Sequence, residues 1–229
     1  MAQQGIRRKS WYPIAYMFVI MAFFSAILVG FSRFTESRVA ANERLAVERA
    51  VLGVLPIDVP AGASNQQIHD LYLKNVTPPE KPGEPYKLMK NERVAAYAIP
   101  FSGRGFWDVI EGVIGVAPDG RTITGIAFYQ QHETPGLGAE ITKPRFKDQF
   151  RSGGKRVAET GKPLTFVRED EKAGPMEINQ ITGATQTSVR LERILDERLG
   201  RWRENSAAAE ATAPAAAETT PPAAQEESK

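Results

Sequence analysis

Residues 106–130 read FWDVIEGVIGVAPDGRTITGIAFYQ, and this stretch decides the fold class. Its first half is rich in Val, Ile and Trp. Its second half carries Thr, Ile and aromatic residues. Pro118-Asp119-Gly120 between them is a turn signal. Two strand-like runs about such a turn predict a β-hairpin. Upstream, 93–100 is a short apolar run that reads as a further strand, and 164–168 is another downstream. Residues 187–202 carry Leu191, Ile194, Leu195 and Trp202 on one helical face with Arg and Glu interleaved, which predicts a closing helix. Strands followed by a helix make an α+β domain over 57–205, large enough for its own core.

Further out, the ends differ from this centre. Between Ser10 and Ser32 there is no charged residue, and 11–31 is almost wholly apolar. A helix of that length spans about 30 Å, the thickness of a bilayer's hydrocarbon core. Trp11, Tyr12 and Tyr16 lie where amphipathic rings favour the interface. A cleaved signal peptide would have a shorter apolar region ending at a small-x-small site, whereas this run leads into Arg33-Phe34-Thr35-Glu36. Arg7, Arg8 and Lys9 precede it with no acid, while 32–58 balances four arginines against four acids. By the positive-inside rule, 1–10 is then cytoplasmic and the domain lies outside, on the periplasmic side of an inner membrane. No charge lies within the anchor, so ion conduction through it is not expected.

A helix is predicted over 32–56, connecting anchor and domain and closed by Pro56. Four prolines make 77–86 a loop. The segment 206–229 holds ten alanines and three prolines without an aromatic residue, and reads as a disordered tail.

Composition narrows the chemistry. The chain has 29 Lys and Arg against 27 Asp and Glu. Without the three basic residues ahead of the anchor the balance is 26 to 27, so the folded part has no basic excess suited to nucleic acid. The absence of cysteine excludes disulfides, thiolate nucleophiles and Cys-ligated clusters. With His69 and His132 the only histidines, no metal centre is expected, and redox chemistry would need an organic cofactor.

Two stretches have the character of a site. Thr182-Gly183-Ala184-Thr185-Gln186-Thr187-Ser188 opens the closing helix. Local physics reads this first as an ordinary capped helix start. The same geometry presents free N–H groups and a positive dipole end to a phosphate, with small residues permitting close approach and hydroxyls offering an attachment oxygen. His132-Glu133-Thr134-Pro135-Gly136-Leu137-Gly138 forms a tight turn. Taken alone it is a surface loop, with His132 and Glu133 a solvated pair. Gly103-Arg104-Gly105-Phe106-Trp107 lacks the spacing and the following helix of a dinucleotide fingerprint. Trp107 suits a core position as well as a ligand contact.

In this order, an N-terminal anchor, a GxGxW stretch, an ETPGLG loop and a late TGATxTS stretch resemble the FMN-binding domain family. Its best-known members are the C subunit of the Na+-translocating NADH:quinone oxidoreductase and the G subunit of the Rnf electron-transport complex. The resemblance covers residues 11–203. It implies that a flavin transferase joins the phosphate of FMN covalently to Thr185, with Thr182, Gly183, Ala184, Thr187 and Ser188 completing the motif. It also implies that Glu133, Thr134, Leu137 and Gly138 lie against the flavin. The family pattern usually places an acid six residues before the modified threonine; Asn179 stands there. The implied function is electron transfer as a redox subunit, not a free-standing catalyst, of an ion-translocating membrane complex of Rnf or Na+-NQR type. Its partners are the other subunits. The alternatives from another class are a membrane-tethered assembly module without redox activity, and a sensor with noncovalent flavin.

Overall fold

The structure is a computed structural model that describes residues 11–151, 155–156 and 163–212, with side chains described as far as 205. The predicted hairpin forms part of a five-stranded antiparallel sheet. Its strands run in sequence order: β1 (Val76–Thr77), β2 (Tyr86–Lys90), β3 (Arg93–Arg104), β4 (Val109–Val116) and β5 (Ile123–Gln130). β4 and β5 pair as expected. The run over 93–100 is longer than its composition suggests and continues to Arg104. β2 and β3 are joined by Asn91 and Glu92, both at positive φ (50° and 61°), as a two-residue hairpin turn requires.

Alternation along the strands supplies two cores. Ile99, Phe101, Ile110, Ile114, Val116, Ile123 and Ile126 belong to one of them. They pack there against α3 (Pro144–Arg151), the parallel pair β6 (Thr165–Val167) and β7 (Glu177–Asn179), and α4 (Thr185–Thr212). Leu191, Leu195 and Leu199 are the buried stripe of α4, and the half-buried Ile194 and Trp202 flank it. The other core sets Ala96, Ala98 and Val113 against the end of α1 (Trp11–Val54) and α2 (Asn65–Asn75). Small residues let α1 lie close. A Cβ on Gly115 would stand 2.5 Å from the Val54 carbonyl oxygen. The Thr124 hydroxyl (2.9 Å) donates to that same oxygen, and the Arg151 guanidinium (2.7 Å) donates to the carbonyl of Gly53.

The apolar stretch and the connecting segment form one continuous helix of 44 residues. Its apolar part is exposed and, by length and composition, is long enough to cross a membrane. Only from Glu48 onward does it become buried against the sheet. At the other end, α4 begins at Thr185 and runs to Thr212, past the expected boundary at 205. The alanine run there is good helix-forming sequence. Residues 1–10, and the part of the expected disordered tail from 213 to 229, lie outside the described residues.

Candidate functional site

Residues 181–184 make the turn that starts α4. The Ala184 N–H donates to the Ile181 carbonyl (3.0 Å), and Gly183 sits at φ +75° in the third position, where a side chain would be strained. The Ile181 N–H in turn donates to the Ser188 hydroxyl (3.3 Å), and Ser188 is fully buried. This winding leaves Thr182, Gly183 and Thr185 exposed and turns Ala184, Thr187 and Ser188 inward. Thr185 is thus the first helical residue, open to solvent at the positive end of a long helix dipole, with no acid in the first turn to offset it.

The loop at 133–138 packs on this helix start. Glu133 is only 4% exposed. One of its carboxylate oxygens accepts from the Thr187 hydroxyl (2.7 Å) and the other from the Trp107 N–H (3.0 Å). A single buried carboxylate therefore ties the GxGxW, ETPGLG and TGATxTS stretches together. The glycines of those stretches make its room. A Cβ on Gly105 would lie 2.5 Å from Glu133 Oε1. One on Gly138 would lie 2.7 Å from Oε2 and 2.5 Å from the Thr187 hydroxyl oxygen. Gly103 answers a different need, since a Cβ there would strike Ile194 of α4 at 2.4 Å. The expectation of a solvated His132–Glu133 pair is corrected for Glu133. Only His132 remains at the surface, paired with Asp108 at 3.0 Å.

Of the loop's other residues, Thr134 is exposed and its carbonyl accepts from the N–H groups of Leu137 and Ala139 (both 3.1 Å). Leu137 is 43% exposed, and its side chain would be 3.0 Å from a Cβ on Gly183. Gly138 is buried. The ten residues expected at the site thus divide into an outward set (Thr134, Leu137, Thr182, Gly183, Thr185) and an inward set (Glu133, Gly138, Ala184, Thr187, Ser188). The outward set is open to solvent, and the inward set is packed beneath it.

Two features border this centre, one left open by the sequence between core and ligand contact, the other not signalled there at all. Trp107 is not a core residue but is 63% exposed, edge-on to Phe106 at 5.2 Å between ring centroids, with the Arg190 guanidinium 6.0 Å from the Phe106 ring. Leu137 and Val189 are also exposed, so several apolar side chains stand open around the helix start. On the other side, a cleft of about 570 Å³ lies between the loop and α3, its wall including Gly136, Lys143, Arg145, Asn179 and Thr182. No spacing in the sequence signals it, because α3 and β7 converge only in three dimensions. Among the described residues no group of acids and histidines could hold a metal ion.

Asn179 has a structural role of its own. Its side-chain amide donates to the carbonyls of Arg168 (2.9 Å) and Glu171 (2.8 Å), and its N–H donates to Gln149 (2.7 Å). A carboxylate here would face two carbonyl oxygens, so the amide is what this turn accepts.

Residues 105–199 match the FMN-binding domain family. The chain is similar to the C subunit of the Na(+)-translocating NADH-quinone reductase of Pasteurella multocida, 38% identical over 104 residues, covering 44% of this chain and 40% of that protein. The corresponding protein of Vibrio vulnificus is 32% identical over 120 residues, 52% of this chain and 47% of that one. The chain therefore spans between two fifths and half the length of these curated relatives. In fold it resembles the crystal structure of the corresponding protein of Parabacteroides distasonis, with a TM-score of 0.62 and 24% identity, covering 74% of this chain and 95% of that one.

Proposed function

We propose that the chain is an electron-transfer subunit of a membrane-bound, ion-translocating oxidoreductase. Its FMN is joined through the phosphate to Thr185. The observation that carries this reading is the position of Thr185: an exposed hydroxyl on the first residue of α4, near a glycine at positive φ, with the 133–138 loop packed against the helix start. The residues fit such a group. The helix start favours a phosphate, Thr182 and Gly183 leave space beside it, and Leu137 offers an apolar contact. Bound FMN supplies one- and two-electron transfer through a ring that a phosphoester leaves unmodified. The protein's own share is positioning: Glu133 fixes loop and helix start relative to each other, and Thr187 and Ser188 anchor the first turn from inside.

The relatives favour the sodium-pumping quinone reductase type over the Rnf type. In this reading the partners are the other subunits and a flavin transferase. The anchor spans the inner membrane with a cytoplasmic N-terminus and a periplasmic domain.

The test is the intact mass of the chain produced with and without an active flavin transferase, followed by peptide mapping. The expected result is FMN minus water on the peptide bearing Thr185, absent from Thr185→Ala. An unmodified chain alongside a modified control protein would point to the assembly module. Yellow colour lost on denaturation would point to the noncovalent sensor.

A further inference from the structure

The course of α1 decides which end of the domain faces the exposed apolar part of that helix. Glu43 and Glu48 of α1 share a second cleft, of about 560 Å³, with Glu111 of β4 and the rings of Tyr72, Tyr86 and Tyr129. Further along α1, Val54 lies against Gly115 of β4, and its carbonyl accepts from the Thr124 hydroxyl. The helix therefore advances along β4 in the strand's own direction. Its apolar part leaves the sheet past the start of β4. The 105–108 turn between β3 and β4 lies at that same end, since Arg104 pairs with Val109.

That turn carries Phe106 and Trp107, both exposed and in edge-on contact. Leu137 is exposed on the neighbouring loop, which Glu133 ties to the turn through the Trp107 N–H. Large apolar side chains with an indole among them suit the boundary between lipid headgroups and acyl chains. Reach decides whether they arrive there. From Phe31, where the apolar run ends, to Glu43 the helix climbs about 18 Å. From Glu111 back to Trp107 the strand and turn return by up to about 13 Å. The tip then stands about 5 Å from the hydrocarbon boundary, inside a headgroup layer about 5–7 Å deep on each side. A continuous helix holds this spacing, where a flexible linker would not.

We propose that Phe106, Trp107 and Leu137 dip into the headgroup layer of the bilayer that α1 crosses. The domain then rests on the lipid surface at two points, the helix and the turn. This inference rests on the anchor reading given under the proposed function and needs no flavin.

The experiment places the full chain, made without a flavin transferase, in phosphatidylcholine vesicles whose acyl chains carry bromine at a chosen depth. Its three tryptophans report on three places. Trp11 opens the apolar run, Trp107 sits on the turn, and Trp202 donates to the Gly120 carbonyl (3.1 Å) at the opposite end of the sheet. The Trp107 share of the emission is the difference between wild type and Trp107→Ala, and the Trp202 share is what remains in Trp11→Phe/Trp107→Ala. The expected result is that bromine near the headgroups quenches most of the Trp107 share, bromine at the bilayer centre quenches less, and Trp202 stays bright. Duplicating residues 36–42, a stretch of α1 exposed throughout, adds two helical turns and lifts the domain by about 10 Å. That variant should free Trp107 from quenching and leave Trp11 as it was. A Trp107 share untouched by bromine while Trp11 is quenched overturns the proposal, including where a neighbouring polypeptide covers the turn in the native assembly. Quenching of Trp107 that survives the duplication overturns it too. If Trp11 also escapes quenching, the anchor reading fails and the proposal with it.

Discussion

Glu133 and Glu48 lie in different parts of the sheet's surroundings, at 4% and 8% exposure, and the fold treats them differently. Glu133 has both oxygens engaged, one by a hydroxyl and one by a backbone N–H, and glycines at 105 and 138 press close beside it. Glu48 has one oxygen engaged by His69 and the other buried without a partner. The same side chain is a finished joint in one place and an open position in the other. Burial alone therefore does not say whether a carboxylate is satisfied; its hydrogen bonds do.

Stability measurements can break that contrast. Glu133→Ala leaves the Thr187 hydroxyl and the Trp107 N–H without their acceptor and opens a hole between two glycines. The expected loss is about 3 kcal/mol, from two hydrogen bonds to a charged group. Urea unfolding checks this, and flavin incorporation at Thr185 should fall with it, since the loop is released. Glu48→Gln weakens only the single bond to His69, so the expected loss is smaller, about 1 kcal/mol. Equal losses at both positions would end the distinction.

Asn179 tests the finished side at smaller scale. Asn179→Asp replaces two N–H donors by oxygens facing the carbonyls of Arg168 and Glu171. The expected destabilisation is about 1–2 kcal/mol at neutral pH, measured by thermal or urea unfolding. Mass spectrometry on the same protein shows whether an acid six residues before Thr185 raises flavin incorporation. A gain in both stability and modification would mean that the amide network has been misread.

The sequence carries the parts of this comparison unequally. The β4–β5 hairpin is legible because Pro118-Asp119-Gly120 stands between two strand-like runs, and Asp119 indeed accepts from the N–H groups of Arg121 and Thr122 (both 2.8 Å). The helix start at Thr185 is legible through Gly183, seen at positive φ. α2 is absent from the sequence reading, although Ser64 and Gln67, which form a reciprocal capping box, mark its start. The burial of Glu133 is not readable. A glutamate before Thr-Pro-Gly looks solvated, and its partners, Trp107 and Thr187, stand 26 and 54 residues away. The tyrosine cleft is equally hidden, since its lining comes from several elements far apart in the chain.

The open side responds to alkali. Folding raises Tyr72 and Tyr129 to about 12 from the ordinary 10.0, chiefly through burial, with Glu48 adding to Tyr72 and Glu111 to Tyr129. A raised folded-state value means the folded chain holds these protons longer than the unfolded chain. Their contribution is therefore complete below pH 10 and is lost as pH rises toward 12. Absorbance of tyrosinate should show a late ionising class in the folded chain that moves to about 10 in urea. Glu48→Gln should lower the Tyr72 member of that class, and Glu133→Ala should not, provided the chain remains folded.

Trp107 sets the smallest effect and sharpens the comparison at its outer edge. Its backbone is bound to the finished joint through the N–H that Glu133 accepts, while its side chain is 63% exposed and touches Phe106. A substitution that keeps the backbone should leave the joint intact, so Trp107→Ala is expected to change unfolding stability by less than about 0.5 kcal/mol. An exposed indole that near the helix start has no evident structural duty, and an aromatic face there suits a flat ligand. Indole fluorescence in the wild-type chain should therefore be quenched on flavin attachment at Thr185, against a background from Trp11 and Trp202 measured in Trp107→Ala. A large stability loss in that variant would place the indole among the packing residues, and unquenched emission would place the flavin elsewhere, toward the cleft beside Thr182.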